Sequence, residues 1–441
     1  MTYENIKSII LTILVLVSLL LTWNIWTYQP AYEYIGREEL IQDVAIKDKY
    51  DISTLIRPMK LLFHHDGIHY GTEEQQEIER LVKEIKRWRV QAIEQISPLV
   101  AQEDFTSFMH GKGKIEVVLP DEIPLSTLNR FIQFQEDVDF PNVSVDRVVI
   151  DVDGNKENPT IHLVNYDERL IYRAFVHNLD LLMVDRSFFG PSVRYDAYRK
   201  IDISPTKDIF APFGEKKLNR MHYFADLYSP ENFKNALFSD PSRVTKEETG
   251  SEEVYTDGYR LMTIDQNYAR LQYVNPVNAD AMNTSDFKII ESSIDFINEH
   301  SGWTDKYLFA GWKRDFRDHT SVFRLHVNGY PVINTQGLTE IVQIWRNNEI
   351  YEYVRPLFEL KYTIRNEVAS VTLPNSNIAL AELKRNPGFE IENLQDLRIG
   401  YELKRDTIYE PVFILEPIWM YQYRDNWYKI SFQPKEDLGG M

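Results

Sequence analysis

The chain has no cysteine. Disulfides, thiolate zinc ligands, thiol catalysis and a cysteine-linked lipid anchor are therefore excluded, although the absence assigns no compartment by itself. Positive charge is also in short supply. There are 49 Lys and Arg against 67 Asp and Glu, a formal net of -18, so the basic footprint that nucleic-acid binding requires is missing. Several catalytic signatures are absent too: H-E-x-x-H and G-x-S-x-G do not occur. His110-Gly111-Lys112-Gly113-Lys114 lacks the spacing of a phosphate loop. Asp151-Val152-Asp153-Gly154-Asn155 resembles the start of a calcium loop, but its glycine comes too early and His162 stands where a glutamate belongs. It reads as a hairpin turn.

What is present is enough apolar material for several cores. Over 441 residues, 43% are hydrophobic and 13% aromatic, which argues against disorder and predicts two or three domains.

The longest apolar run covers residues 6–26. Lys7 lies near its start, no charge occurs from Ser8 to Tyr28, and residues 9–21 are Ile, Leu and Val broken only by Thr12 and Ser18. About 20 such residues span a bilayer. Trp23, Trp26 and Tyr28 occupy the place where a cleaved signal peptide would carry small residues, and they suit a membrane interface. The run predicts an uncleaved single-pass anchor in the cell membrane. Its weak positive bias puts the N-terminal tail in the cytoplasm and the bulk of the chain outside. The polar residues Thr12, Ser18 and Thr22 read first as groups bonding their own backbone. The sharper reading is a helix-packing face of Leu11, Val15, Ser18 and Thr22, spaced 4-3-4.

Beyond the anchor the pattern predicts α+β: a transmembrane helix followed by a multi-domain extracytoplasmic region of antiparallel sheets with packed helices. Residues 58–65 read as a strand, turning at Asp66-Gly67 into 68–70. Thr72 with Gln75 reads as a capping box, opening one helix whose apolar face is Ile78, Leu81, Val82, Ile85, Trp88, Ala92 and Ile96, ended by Pro98. Strands are expected at 114–119, 143–152 and 160–165, the last two as a hairpin. Ser229-Pro230 starts a short helix, and strands follow near 254–263 and 269–274. Phe287, Ile290, Ile294 and Ile297 line another helix. Asn328-Gly329 and Asn347-Asn348 read as hairpin turns, the first joining 322–327 to 330–333 and the second 341–345 to 350–354. A helix near 378–384 and strands at 398–403, 412–421 and 427–432 complete the chain. A helix followed by strands thus occurs twice, without a residue-level repeat. Breaks at 200–214 and 275–284 divide the chain into 1–28 (tail and anchor), 36–204 (first outer α+β domain), 205–280 (central domain) and 281–441 (last α+β domain).

Two constellations invite chemistry. His64-His65-Asp66 with His69 has metal-like density, but a strand would place only His64 and Asp66 on one face and no further ligands follow. The residues read as hairpin and surface groups. Trp419, Tyr421, Tyr423, Trp427 and Tyr428 form either a sugar or peptide platform or, more simply, strand core and edge. No catalytic, cofactor or metal residue is assigned.

Asn5-Ile6-Lys7-Ser8, the apolar run, and Leu21-Thr22-Trp23-Asn24-Ile25-Trp26-Thr27-Tyr28-Gln29-Pro30 resemble the YycH family of Firmicutes. So do the stretch from Arg57-Pro58 through His64-His65 to Tyr70-Gly71-Thr72, the length, the single span and the large outer region. The resemblance implies a non-enzymatic regulator. Family members act with the similar single-pass protein YycI on the sensor histidine kinase WalK (also called YycG), which controls cell-wall metabolism, largely through transmembrane helices. It also implies three outer domains, the last sharing its fold with YycI, and brings no cofactor and no catalytic residues. A homo-oligomer is compatible with it. Two rivals are a stand-alone wall-ligand module, marked by a large pocket, and a membrane-anchored wall hydrolase, marked by deep acidic residues with shifted pKa.

Overall fold

Ile78, Leu81 and Ile85 recur at helical spacing and are all buried in the helix Gln75–Ile85. The computed structural model describes residues 3–27, 49–135, 138, 141–276, 288–315, 317–364, 368–406 and 411–432. They fall into two compact units, Met1–Gln42 and Asp43–Met441.

The first unit is the helix Tyr3–Thr27. Its side chains are described over residues 11–23, all exposed. Among the described residues no helix is long and apolar enough to cross a membrane; that side-chain stretch is shorter than the ~20 residues a span needs.

The second unit is built on two large, mostly antiparallel sheets with packed helices. The first sheet contains β1 (Lys60–His64), β2 (His69–Thr72), β3 (Arg89–Gln95), β4 (Lys114–Pro124), β5 (Gln133–Phe134), β6 (Ser144–Asp151), β7 (Thr160–Asn165), β8 (Leu170–His177), β9 (Asp196–Ser204) and β10 (Lys207–Pro212). Their order is β10-β9-β2-β1-β4-β6-β7-β8-β3-β5. Leu61, Phe63, Ile115, Val117, Val148 and Ile150 face the helix Gln75–Ile85 in one core. The opposite face of β1, β4 and β6 carries Leu62, His64, Glu116 and Arg147, because side chains alternate along a strand.

The second sheet contains β11 (Lys216–Leu227), β12 (Thr245–Thr249), β13 (Glu252–Thr256), β14 (Leu261–Asp265), β15 (Arg270–Val274), β16 (Tyr307–Arg314), β17 (His319–Val327), β18 (Tyr330–Ile333), β19 (Glu340–Arg346), β20 (Glu349–Pro356), β21 (Phe358–Thr363), β22 (Ala369–Leu373), β23 (Leu394–Arg405), β24 (Val412–Tyr423) and β25 (Asn426–Lys429). Its path is β12-β13-β14-β15-β20-β19-β17-β18-β23-β24-β11-β21, with β16, β22 and β25 on β17, β11 and β24. Ile290, Ile294 and Ile297 of the helix Ile289–Glu299 are buried in its core; Phe287 lies outside the described residues. Both Asn-containing turns form as expected, with positive φ at Asn328, Gly329, Asn347 and Asn348. Pro230 opens the helix Pro230–Leu237 behind Ser229, and the helix Ser376–Lys384 matches the expected 378–384.

Three expectations fail locally. The helix from Gln75 ends at Ile85, and the residues expected to continue it form β3 against β8. A bulge between Val90 and Ala92 breaks the strand's alternation, so its apolar residues fall at spacings that imitate a helix. Thr72 ends β2 instead of capping the helix; its hydroxyl accepts the Glu74 N–H at 3.1 Å. Residues 254–263 are parts of two strands, because Asp257 takes the N–H groups of Tyr259 and Arg260 and turns the chain at Gly258. The break at 200–214 holds the β9–β10 hairpin, and residues 277–287 of the second break lie outside the described set.

The sheets are joined by β4. Between Val118 and Ile123 its register against β6 slips, and Pro120 has no N–H to give the ladder. The displaced residues reach β16: Trp312 donates its backbone N–H to Asp121 Oδ2 at 2.7 Å and its indole N–H to the Glu122 carbonyl at 2.6 Å. A second tie is Lys60 on β1, whose Nζ donates to Asp396 Oδ1 on β23 at 2.9 Å, both side chains nearly buried. Burial pushes the Asp396 carboxyl up, but the charges of Lys60 and Arg398 outweigh it and hold it below its usual range.

Gly400 shows how tightly β18 approaches β23. A Cβ there would lie 2.5 Å from Met420 Sδ and 2.7 Å from the Pro331 carbonyl oxygen. Gly400→Ala is expected to lower stability by about 1–3 kcal/mol through overpacking. Gly214→Ala, with nothing within 4 Å, should stay within about 0.5 kcal/mol of wild type. Paired denaturant titrations of the two variants check the contrast.

Candidate functional site

The two sheets enclose a cleft of about 1160 Å³. β4 and β6 contribute Glu116, Asp121, Glu122, Asp146 and Arg147. The second sheet contributes Trp312, Arg324, Asp396, Tyr421, Trp427 and Tyr428. The aromatic tail therefore divides. Trp419 is fully buried core, Tyr423 stacks on Phe389, and Tyr421, Trp427 and Tyr428 line the cleft, with the Arg324 guanidinium 5.4 Å from the Trp427 ring centre.

A buried polar cluster forms one wall. Register explains it: Leu62 of β1 opposes Glu116 of β4, which opposes Val149 of β6, which opposes His162 of β7. Glu116 thus shares a face with His64 and Arg147. The helix Phe105–His110 delivers His110 to the same face. Glu116 Oε2 lies 3.1 Å from His64 Nε2 and 3.2 Å from His110 Nδ1, while Oε1 accepts from Arg147 Nε at 2.7 Å. Arg147 also reaches Asp146 at 2.7 Å. His64 Nδ1 is 2.8 Å from His69 Nδ1, and His110 Nε2 is 2.9 Å from the Tyr166 hydroxyl. Burial alone would raise Glu116, but His110, His64 and Arg147 hold it well below the usual carboxylate range. Burial pushes His64 down despite its acidic neighbour.

The His64-His65-Asp66-His69 group does lie in a hairpin, with His64 paired to His69 across β1 and β2, but it is not the surface set that the sequence implies. His64 is fully buried, because both faces of β1 are covered. His65 is half-buried, stacked 4.2 Å from Phe189 with its Nε2 2.9 Å from Ser192 Oγ. Only Asp66 fits the surface reading, exposed in the turn. Sequence reasoning missed Glu116, His110 and Arg147 as partners of His64. The available signal was a carboxylate inside Lys114-Ile115-Glu116-Val117-Val118, an otherwise apolar strand.

The cleft also holds carboxyls with raised pKa, the feature a wall hydrolase would show. Burial lifts Asp121 to about 7 against the N–H groups of Trp312 and Glu122. Burial also lifts Glu122 and Asp146. The oxygens of Asp121 and Asp146 are committed, however. Asp121 accepts Trp312 N–H on one oxygen and Glu122 N–H on the other, and Asp146 accepts Tyr166 N–H and Arg147. These two carboxyls work as joints.

In the other unit, Leu11, Val15, Ser18 and Thr22 all lie in the exposed stretch of Tyr3–Thr27. At about 100° per residue they share a wedge of roughly 60°. The Thr22 hydroxyl donates to the Ser18 carbonyl at 2.9 Å, as the simpler reading of these polar residues has it.

His162 sits one rung beyond the cluster. It is 7% exposed, with its ring edge on Phe108 and no hydrogen-bond partner for Nδ1. Burial, then the charges of Lys114 and Arg173, push it down from 6.5 to about 4, opposed by Asp151. Between those values the unfolded chain binds a proton that the folded chain refuses, so stability falls as pH drops from 6.5 toward 4. The contribution is on the order of 3 kcal/mol. His162→Leu should make that part of the stability–pH curve less steep, with His69 and other buried histidines still contributing to it, and leave neutral stability nearly unchanged; an unaltered slope in denaturation series would refute the assignment.

Comparison with known proteins places this architecture. Residues 4–188 match the family described as YycH protein, N-terminal domain, and residues 206–437 match YycH protein, C-terminal domain. The two-component system WalR/WalK regulatory protein YycH of Bacillus subtilis (strain 168) is 26% identical over 438 residues, covering 95% of this chain and 94% of its own length. The crystal structure of YycH from Bacillus subtilis superposes with a TM-score of 0.74 at 22% identity, covering 87% of this chain and 98% of that one, and so shares the fold. Matched in order by both of the family's domains, the chain belongs to the YycH family.

Proposed function

We propose that this chain is a membrane-anchored, non-catalytic regulator of the WalR/WalK two-component system, acting on the sensor kinase WalK together with YycI. One observation carries the reading: a relative named as a regulatory protein of that two-component system aligns along 95% of the chain. Residues 6–26 form the anchor, with the N-terminal tail in the cytoplasm and the sheets outside. The basis is the charge-free run of about one bilayer's length. The wedge of Leu11, Val15, Ser18 and Thr22 is the contact face. Small hydroxyl residues there let a neighbouring helix approach closely, and each hydroxyl keeps lone pairs to accept a bond.

The regulator works by binding one state of the kinase bundle better than another. The cleft supports a second reading, in which the outer region also binds a wall ligand: it is large, and three aromatic side chains stand on one wall.

A helix exchange tests the main reading. An unrelated apolar helix replaces residues 6–26 at equal length, with membrane level and outer fold verified. The reporter of the WalR regulon is expected to behave as in a deletion, changed by about 5- to 150-fold for a coupling of about 1–3 kcal/mol. The sign of the change reports which kinase state the helix prefers. Wild-type output from the exchanged protein would move the contact to the outer region.

A further inference from the structure

We infer that His64 Nε2, His110 Nδ1 and Glu116 Oε2 form a site for a divalent transition-metal ion of the zinc class, open toward the cleft. Among the described residues these three are the group whose donor atoms gather closely enough, all within 4.8 Å of one another and all buried. Both carboxylate–imidazole spacings fit. Zinc bonds of about 2.0–2.1 Å in a tetrahedron put neighbouring donors about 3.3 Å apart. Here the carboxylate oxygen stands 3.1 Å from one imidazole nitrogen and 3.2 Å from the other. Two imidazoles and a carboxylate are a donor set that zinc accepts, with one position left for water or a ligand.

The outer partners are those a metal site needs. His64 is backed by His69, His110 by Tyr166, and the second oxygen of Glu116 by Arg147, so the remaining polar atom of each ligand is occupied. The bonding around His110 points the same way. The Tyr166 hydroxyl that backs its Nε2 is itself fixed by the Asp208 N–H at 2.9 Å and lies 3.3 Å from the Asp208 carbonyl. His110 Nδ1 is buried without an aligned hydrogen bond and stands 3.2 Å from Glu116 Oε2. A cation placed between them would take both atoms as ligands.

Charge and access agree. Glu116, Asp146 and Asp208 carry three formal negatives against Arg147 and Lys200, so the surroundings lack positive charge. Phe210 covers the imidazoles of His64, His69 and His110 with ring centres 4.8–5.1 Å away. Glu116 itself lines the cleft, which gives an ion a way in.

The test uses the full chain in detergent, purified through a histidine-free tag and stripped with a chelator. Cobalt(II) should give the visible absorption of a tetrahedral ion, displaced by one equivalent of zinc per chain. Zinc should also raise the thermal midpoint. His110→Gln should abolish the cobalt spectrum. Tyr166→Phe, which removes only the outer hydroxyl, should weaken zinc binding by about 10- to 100-fold. His65→Gln, outside the cluster, should bind as wild type. Folded wild-type protein without tetrahedral absorption and without stoichiometric zinc overturns the inference, and so does zinc binding that survives unchanged in a folded His110→Gln variant.

Discussion

The buried carboxylate of Glu116 is the constraint around which the first sheet is arranged. A charge with 2% exposure costs several kcal/mol unless opposite charge and hydrogen bonds meet it. Placing β4 between β1 and β6 meets it from both sides. β1 brings His64, β6 brings Arg147, and the helix ahead of β4 brings His110. The strand order and the polar cluster are thus one fact seen at two scales. The same alternation that sends Ile115 and Val117 into the main core sends Glu116 to the other face.

The cleft follows from the same strand. Pairing of β4 with β6 is broken over four residues, and those residues carry the chain across to β16. Asp121 there resembles a catalytic acid by its raised pKa alone, yet its two oxygens hold backbone N–H groups and Gly311 packs against it, where a Cβ would come within 2.6 Å. A perturbed carboxyl in a cleft marks either chemistry or a joint. Hydrogen-bond geometry decides for a joint here.

Legibility in the sequence tracks how local each determinant is. Asn328-Gly329, Asn347-Asn348 and Ser229-Pro230 fix their own backbone, and each turn or helix start was readable. The helix Gln75–Ile85 was readable in its first half, where three apolar residues point to one core. Its false continuation into β3 came from a bulge that only the pairing with β8 reveals. The site was legible in one residue. His64 stood out, but its neighbours His65 and Asp66 turned elsewhere, and its partners come from elements joined to it only by sheet order. Pairing across strands is not written in spacing along the chain.

The N-terminal helix and the two-sheet unit are separate compact units, and under the proposed function that separation limits how a ligand of the two-sheet unit can act. A ligand that merely tightens the folded two-sheet unit raises its stability by mass action and alters how much folded protein is present. To alter what the N-terminal helix does under that proposal, it must favour one of two arrangements that the helix also distinguishes. The elements that join the sheets are the Lys60–Asp396 pair and the displaced segment of β4, between the facing cleft walls. A ligand touching both walls gains or loses contacts whenever those joints shift, whereas one confined to the Glu116 cluster touches a single sheet. An ion in that cluster would therefore act on signalling only by shaping what else the cleft binds.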